Sequence, residues 1–551
     1  MTPGAWRART GPADPDGTAA RVSGTGPSRR GFLGMAAGLA AAGTGLLTAC
    51  SSSDSGERVT ERHRDGILRI GVASAPSNLN PLDSGSEVTR WIAEPVMESL
   101  YAYDDQLASV PLLAEGEPEV SADRLAWTIR LKDGVFWHNG DPFTADDVVA
   151  TLNHMLDMSA GSEWITYMLG YVSRCEKVDA RSVRIVLGKP YGLLRSHLTN
   201  LPVTHRDFVS RKDTMMGTGP YKLDGYVAGQ SFTMSKFDRY HGGQYRAPFA
   251  DRPGGAAFAG MEYTVFTDGN TRAVSLKQGK VDLVTSPAQS TVSALAAEKG
   301  VAVVSTIAPL DVLTYVMMQR EPFSDPEFRK AIAFATDREG VLQRVYGGKG
   351  TPGQGPIGPG ELGYDPALAV YPAAPDLARA RDHLARATTG KRAFTLTVGN
   401  GQTIRDIAQV LVAGWAKIGI DVTIEQLAGG PWSNKWLSRE YDMLMNTFSS
   451  GFTSGPANYL TLAPASSTNV LSCGYRNPAV DQAVDTVWQT TDSAERVAAL
   501  RTIDRALAED AVIFPPVHPE LVVAQRRELS PLNAAQLKVC RLSPQTLSFT
   551  A

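Results

Sequence analysis

The chain has 551 residues, 43% of them hydrophobic, and sets 54 Lys+Arg against 57 Asp+Glu for a formal net charge of −3. Charges so balanced, and dispersed rather than run together, exclude a nucleic-acid partner, which needs a basic stripe to neutralise phosphates. The length exceeds what one core fills and predicts two or three packed units.

The first informative segment is Ser28-Arg29-Arg30-Gly31-Phe32-Leu33, followed by an Ala- and Gly-rich apolar run to Leu47-Thr48-Ala49-Cys50. Arg29 and Arg30 ahead of a weakly hydrophobic stretch resemble the twin-arginine export signal, and Leu47 to Cys50 resemble the lipobox at which bacterial lipoproteins are cut and acylated. A short membrane anchor or a buried helix is the competing reading. Against it, the run is close to the lower limit of about 17 residues for a span and is poor in Leu and Ile. The expectation is a signal peptide over 1–50, a lipid anchor at Cys50 and a polar tether over 51–66 that cannot bury enough apolar surface to fold. From Ile67 onward no apolar run is long enough to cross a bilayer, so a soluble body is expected on the extracytoplasmic face of the cell membrane.

Strand-like and helix-like segments then alternate, the pattern of an α/β architecture. Thr144 and Asp147 are spaced as a capping box ahead of a helix whose buried face is Val148, Leu152, Met155 and Leu156. Asp325 and Pro326 occupy the N-cap and first positions of another helix. The stretch from Tyr346 to Gly363 is dense in Gly and Pro and reads as a loop crossing the surface. Phe394 to Val398 alternate as a strand. Ile404, Ile407, Ala408, Leu411, Trp415 and Ile418 recur at helical spacing, Gly419 stops that helix, and Ile420, Val422 and Ile424 alternate again, which makes a β-α-β unit with a parallel pair. With Cys50 assigned to the anchor, Cys175, Cys473 and Cys540 remain; one disulfide with a buried thiol, or three buried thiols, both fit their scattered positions. The 8 histidines are dispersed. No metal-type spacing accompanies them, so no metal or cofactor is expected, and His138 reads as hydrogen-bonded structure.

The segment from Leu125 to Val149, with Asp133-Gly-Val-Phe-Trp137-His138-Asn-Gly-Asp141-Pro-Phe143 at its centre, resembles the signature of the family 5 extracellular solute-binding proteins, the dipeptide, oligopeptide and nickel receptors of ABC importers. Gly217-Thr-Gly-Pro-Tyr-Lys222, the segment from Asp268 to Leu283, Pro322 to Ile332 and Ile418-Gly-Ile-Asp-Val422 look like that family's later landmarks, in its order. The resemblance covers essentially everything from Ile67 to the C-terminus. It implies an α/β, bilobal, periplasmic-binding-protein-like (type II) fold with the extra third domain of the peptide-binding family. By analogy the first lobe comprises 67–90, 217–305 and 509–551, the extra domain 91–216 and the second lobe 306–508. It also implies no catalysis, an ABC permease and ATPase as partners, a monomer, and a polar, peptide-like ligand enclosed when the lobes close.

The same resemblance points to the ligand residues. The aromatic, glycine-flanked stretch from Pro431 to Tyr459 corresponds to the part of the family that lines the second lobe's cleft. Within it Trp432, Phe448 and Phe452 are candidates for stacking, Asn458 for hydrogen bonding, and Gly451 stands where peptide-binding relatives carry an acid for the ligand's α-ammonium group. No acid lies between Phe448 and Tyr459, and a buried ammonium without a counter-charge is costly, which widens the ligand class to blocked or cyclic peptides, oligosaccharides and other polar metabolites. In the first lobe, Asn78 and Asn80 follow a strand and are candidates too, with turn formation as their competing role. A secreted hydrolase is the rival class, but Gly451-Phe-Thr-Ser-Gly455 places its serine one position too late for a nucleophile elbow. A receptor that presents its ligand to a sensor is the third reading.

Overall fold

The computed structural model describes residues 66–76, 78–83, 87–104, 108–157, 171–244, 256–307, 310–449, 473–538 and 542–549. Arg29, Arg30, Cys50 and Cys540, with the readings that fall on them, lie outside these residues.

In chain order the strands are β1 (Ile67–Val72), β2 (Tyr101–Tyr103), β3 (Ser109–Pro111), β4 (Glu119–Val120), β5 (Ala126–Arg130), β6 (Val172–Asp179), β7 (Ser182–Leu187), β8 (Tyr221–Val227), β9 (Ser231–Lys236), β10 (Gly260–Val265), β11 (Leu283–Thr285), β12 (Val301–Ile307), β13 (Leu310–Val316), β14 (Gly350–Pro352), β15 (Ala393–Gly399), β16 (Asp421–Leu427), β17 (Met443–Ser449) and β18 (Val517–Arg526). One mixed sheet runs β16-β15-β17-β13-β18-β11-β1-β10-β9-β8, with β12 and β14 also on β18. Residues 517–519 of β18 pair with β13 and β14, whereas 520–526 pair with β12 and, in part, β11. The sheet thus has a first half (β1, β8 to β12 and 520–526) and a second half (β13 to β17 and 517–519), joined by the β12–β13 connection and by β18 itself.

Each half carries its own core because its side chains alternate across the sheet. Leu68, Ile70 and Val72 of β1 enter the first half's core. In β17, Met443 and Met445 enter the second half's core, while Leu444 enters, with Trp432, Trp436 and Tyr441, a cluster that continues into the unit inserted between β1 and β8. The β-α-β unit is as expected: β15 and β16 are parallel, the helix Gln402–Ala416 buries Ile404, Ile407, Ala408, Leu411 and Trp415, and Gly419 follows it at a φ of 81°, which suits a residue without Cβ. Asp325 caps the helix Pro326–Ala335, accepting from Glu327 N and Phe328 N. Burial alone would raise the Asp325 carboxyl, but hydrogen bonds from Thr388, Thr389 and Glu327 outweigh it and hold it down at about 2.

The glycine- and proline-rich stretch from Tyr346 to Gly363 departs from the surface-loop expectation. Part of it is β14, paired to β18, and Ile357 is buried with its N–H donated to the Asp504 carboxylate at 2.9 Å. Its glycines serve close packing: a Cβ on Gly353 would lie 2.2 Å from Pro515 O.

A separate antiparallel sheet, β4-β5-β7-β6, belongs to residues inserted between β1 and β8. The helix Ala145–Leu156 packs on β6 and buries Asp147, Val148, Thr151, Leu152 and Met155. This inserted unit is bonded to the first half of the large sheet. Leu79 N donates to Lys212 O at 2.9 Å, His138 N to Gly217 O at 3.0 Å, and Gly219 N to Val96 O at 2.9 Å. The buried Glu98 carboxylate sits at the same junction, accepting from Thr218 Oγ1 at 2.8 Å and Tyr240 Oη at 3.0 Å, with His241 Nε2 at 2.7 Å. Burial acts to raise the Glu98 carboxyl, yet the His241 charge and these hydrogen bonds leave it below its ordinary value. Cys175 and Cys473 are buried free thiols, pushed by burial to about 12 and about 11.

Candidate functional site

Parallel pairing aligns strand ends. In the first half β1 is parallel to β10 and β11, so the loops that leave Val72, Val265 and Thr285 open on one edge. In the second half β15 is parallel to β16 and β17, which brings the carboxyl ends at Gly399, Leu427 and Ser449 to one edge. Carboxyl ends of strands flanking a change of sheet partner are where open α/β folds bind ligands. The candidate residues Asn78 and Asn80 follow β1, Trp432 lies on the helix Gly429–Leu437 after β16, and Phe448 is the penultimate residue of β17.

The first two are brought together, and their hydrogen bonds go to the turn itself and to the segment at Val209. Asn78 Oδ1 accepts from Asn80 N at 2.9 Å, Asn80 Oδ1 accepts from Leu82 N at 3.0 Å, and Asn80 Nδ2 donates to Val209 O at 2.8 Å. Asn80 is 3% exposed. The turn ends at Asp83, whose side chain is 3% exposed and whose carboxylate stands 3.5 Å from His154 Nε2 and 3.9 Å from Lys212 Nζ.

Trp432 is 4% exposed and packs at 5.3 Å and 49° on Trp436 within a core cluster that the second half shares with the inserted unit. Between these tryptophans in sequence, Lys435 reaches back to the Glu425 carboxylate, which also accepts from Thr397 Oγ1 at 2.7 Å. The Lys435 hydrogen bond holds the Glu425 carboxyl below its ordinary value. Phe448 pairs through its backbone with Asp311 of β13. Gly451, Phe452 and Asn458 lie outside the described residues.

His138 is structural, as its sequence context indicates. Its Nε2 lies 3.0 Å from Gly219 O and its ring meets Phe237 edge-on at 4.8 Å. Burial, only partly offset by the Gly219 carbonyl, pulls the imidazole down to about 4. Among the described residues no group of three or more His, Cys, Asp or Glu is placed to hold a metal ion, and no helix is long and apolar enough to cross a membrane.

A cavity of about 70 Å³ lies away from these strand ends, among Arg90, Trp91, Glu94, Tyr101 and Tyr240 at the junction of the inserted unit with the first half. It holds only a few waters' worth of space. The residues that sequence reasoning passed over are Tyr171, Tyr191 and Trp488, which meet across the two units. Trp488 continues the apolar face of Val480, Val484 and Val487, and nothing in that spacing separates a core residue from one that reaches another unit.

Comparison with known proteins agrees with this geometry. The model of the bacterial extracellular solute-binding proteins, family 5 Middle, matches residues 108–469. Di/tripeptide-binding protein 2 of Pseudomonas aeruginosa (strain UCBPP-PA14) is 26% identical over 499 residues, covering 84% of this chain and 91% of its own. Among solved structures, the ABC transporter-associated periplasmic binding protein DppA from Helicobacter pylori in complex with peptide STSA superposes with a TM-score of 0.77 at 20% identity, over 89% of this chain and 99% of that one. The PBP AgaA from A. tumefaciens R10 in complex with agropinic acid gives 0.75 at 22% identity, over 88% and 99%. At these identities the structural likeness establishes the fold, a bilobal periplasmic-binding-protein architecture.

Proposed function

The chain belongs to the bacterial extracellular solute-binding proteins of family 5, and we propose that it is the receptor of an ABC importer for a polar, peptide-like solute. In this reading the solute is enclosed between the halves of the large sheet and passed unmodified to the membrane permease. The observation that carries it is the double connection at β12–β13 and at 519–520 of β18. Two short crossings between two independently packed halves make a hinge, and closure about a hinge distinguishes loaded from empty receptor.

The lobes would follow the boundaries read from the sequence, 67–90, 217–305 and 509–551 against 306–508, with the return to the first lobe made inside β18. Export through Arg29 and Arg30, lipid attachment at Cys50 and a monomeric body complete the proposal. The ligand class rests on the relatives, of which one is a di/tripeptide-binding protein and another was solved with agropinic acid. The absence of an acid between Phe448 and Tyr459 favours solutes without a free α-ammonium group. Phe448, Gly451, Phe452 and Asn458 would face them from the second lobe, with Trp432 supporting that lobe from its core, and Asn78 and Asn80 would shape the opposing loop.

The test is thermal unfolding and native mass spectrometry of the chain from Ser51 onward, with pools of free dipeptides, N-acetylated or cyclic dipeptides, and opine-type conjugates. A ligand at about 100 times its Kd adds about 2.7 kcal/mol and raises Tm measurably. Stabilisation by blocked members, recovered unchanged, is the expected result. Turnover of a pool member would point instead to a hydrolase, and tighter binding of free dipeptides would overturn the assigned class.

A further inference from the structure

The inserted unit is covalently and hydrogen-bonded to the first half of the large sheet, yet it also touches helices of the second half. Tyr191, on the inserted unit, stacks on Trp488 at the end of the helix Pro478–Gln489, with ring centroids 5.3 Å apart and planes 15° apart. Tyr171 stands 5.3 Å from the same indole at 51°, and the His197 ring 5.9 Å away at 73°. Tyr191, His197 and Trp488 are 1%, 0% and 8% exposed, so water is shut out of this contact.

The backbones meet as closely as the rings. Gly192 N donates to Trp488 O at 2.8 Å. A Cβ on Gly192 would lie 1.8 Å from Thr490 O, so only glycine permits the approach. Polar bonds ring the contact: Tyr171 Oη donates to Asp485 at 3.2 Å, Arg124 Nη2 to Gln489 O at 3.3 Å, and Arg496 to the Thr490 and Gly192 carbonyls. Beside it an open groove of about 500 Å³ runs between Arg124 and Pro190 on one side and Gln482, Asp485 and Gln489 on the other.

We propose that Tyr191, Gly192 and Trp488 form a latch that makes and breaks with the cleft, holding the receptor closed from a point remote from the solute. The argument is one of connectivity and rests on the two-lobe receptor reading above. Both chain connections of the inserted unit run to the first half, as do the bonds from Leu79, Gly219 and Glu98. Rotation at the β12–β13 and β18 crossings therefore carries the unit away from Trp488, and among the described residues no disulfide resists the separation. The aromatic and backbone contacts then act as positioning residues: they bias the closed state without touching ligand.

Hydrogen exchange on the full chain, with no solute added, tests this. In a latch, the Gly192 amide exchanges by a partial opening, roughly 100-fold or more faster than the amides of Leu521 to Ala524 in β18, which exchange only on global unfolding. Trp488→Ala should speed exchange at Gly192 about 10-fold further, and Gly192→Val should expose 488–492, while β18 protection is unchanged in both. Gly192 exchanging in step with β18 would make the contact a permanent core and overturn the proposal; so would a Gly192 amide unprotected in the parent chain. Should Gly192→Val lose β18 protection through misfolding, the parent chain and the milder Trp488→Phe still decide. Because no solute enters the measurement, failure of the latch and failure of the peptide-receptor assignment read out separately.

Discussion

Trp137 Nε1 donates to the Asp147 carboxylate at 3.1 Å, both side chains having 0% exposure. That one bond explains the recognisable segment between Asp133 and Val149. Asp147 at the third helical position also accepts from Thr144 N at 2.9 Å, Arg206 N at 3.1 Å and Arg206 Nη1 at 3.2 Å, so a single buried carboxylate starts a helix, orients an indole and ties down the segment at 206. A buried charge persists only when its lone pairs are satisfied in this way.

Asp147→Ala should therefore cost roughly 3–5 kcal/mol, the penalty for breaking a buried charged network. Urea unfolding monitored by tryptophan fluorescence checks it. Thr144→Ala, which leaves the Asp147 bond to the backbone N–H intact, should cost about 1 kcal/mol or less.

Glu98 makes a parallel prediction at the junction of the inserted unit with the first half. Glu98→Ala strips the acceptor from Thr218, Tyr240 and His241 at once and should cost about 3 kcal/mol or more. Glu98→Gln, which keeps one acceptor oxygen, should cost about 1–3 kcal/mol. Because its carboxyl is held below the ordinary value, the Glu98 contribution is present above the unfolded pKa and declines in acid.

His138 sets a second acid-dependent term in a different window. Its folded value of about 4 lies below the ordinary 6.5, so the unfolded chain binds the extra proton. Stability should be full above pH 6.5, fall as pH drops from 6.5 towards 4, and have no further slope from this group below that. The loss should be at most about 3 kcal/mol. Denaturant midpoints measured at half-unit pH steps for the parent and His138→Phe, which cannot titrate, isolate it; the variant should show a flatter profile over that window.

Arg338 is wholly buried with one guanidinium hydrogen bond, to Ala333 O at 2.9 Å, and its charge lies 4.7 Å over the Tyr371 ring. Among the described residues its Nε and Nη2 have no hydrogen-bond partner, and burial pulls the group down to about 10. Arg338→Met, which fills the same space without the charge, should be neutral within about 1 kcal/mol or stabilising. Arg338→Ala should lose about 2–5 kcal/mol through the cavity it leaves. Calorimetry on the two variants separates the charge from the volume.

The fold was legible wherever local chemistry and tertiary demand agree. Asp325 ahead of Pro326, the Ile404-to-Trp415 stripe and Gly419 each state a boundary or a face that the structure keeps. The stretch from Tyr346 to Gly363 was misread because glycine and proline signal a turn and a close approach with the same letters; Gly353 is there for Pro515, not for solvent. At the candidate site, Asn78 and Asn80 were legible as turn formers, since an Asx side chain bonds the backbone two residues on. The aromatic latch was not, because a stack between residues 191 and 488 leaves no periodic trace in either segment.

The position of β18 in the chain has a consequence for the order of folding. It is a ten-residue strand with which β11, β12, β13 and β14 all pair, and it comes after every one of them. Neither half can complete its ladder until β18 is in place, so the long-range closure that sets the folding rate waits for residues 517–526.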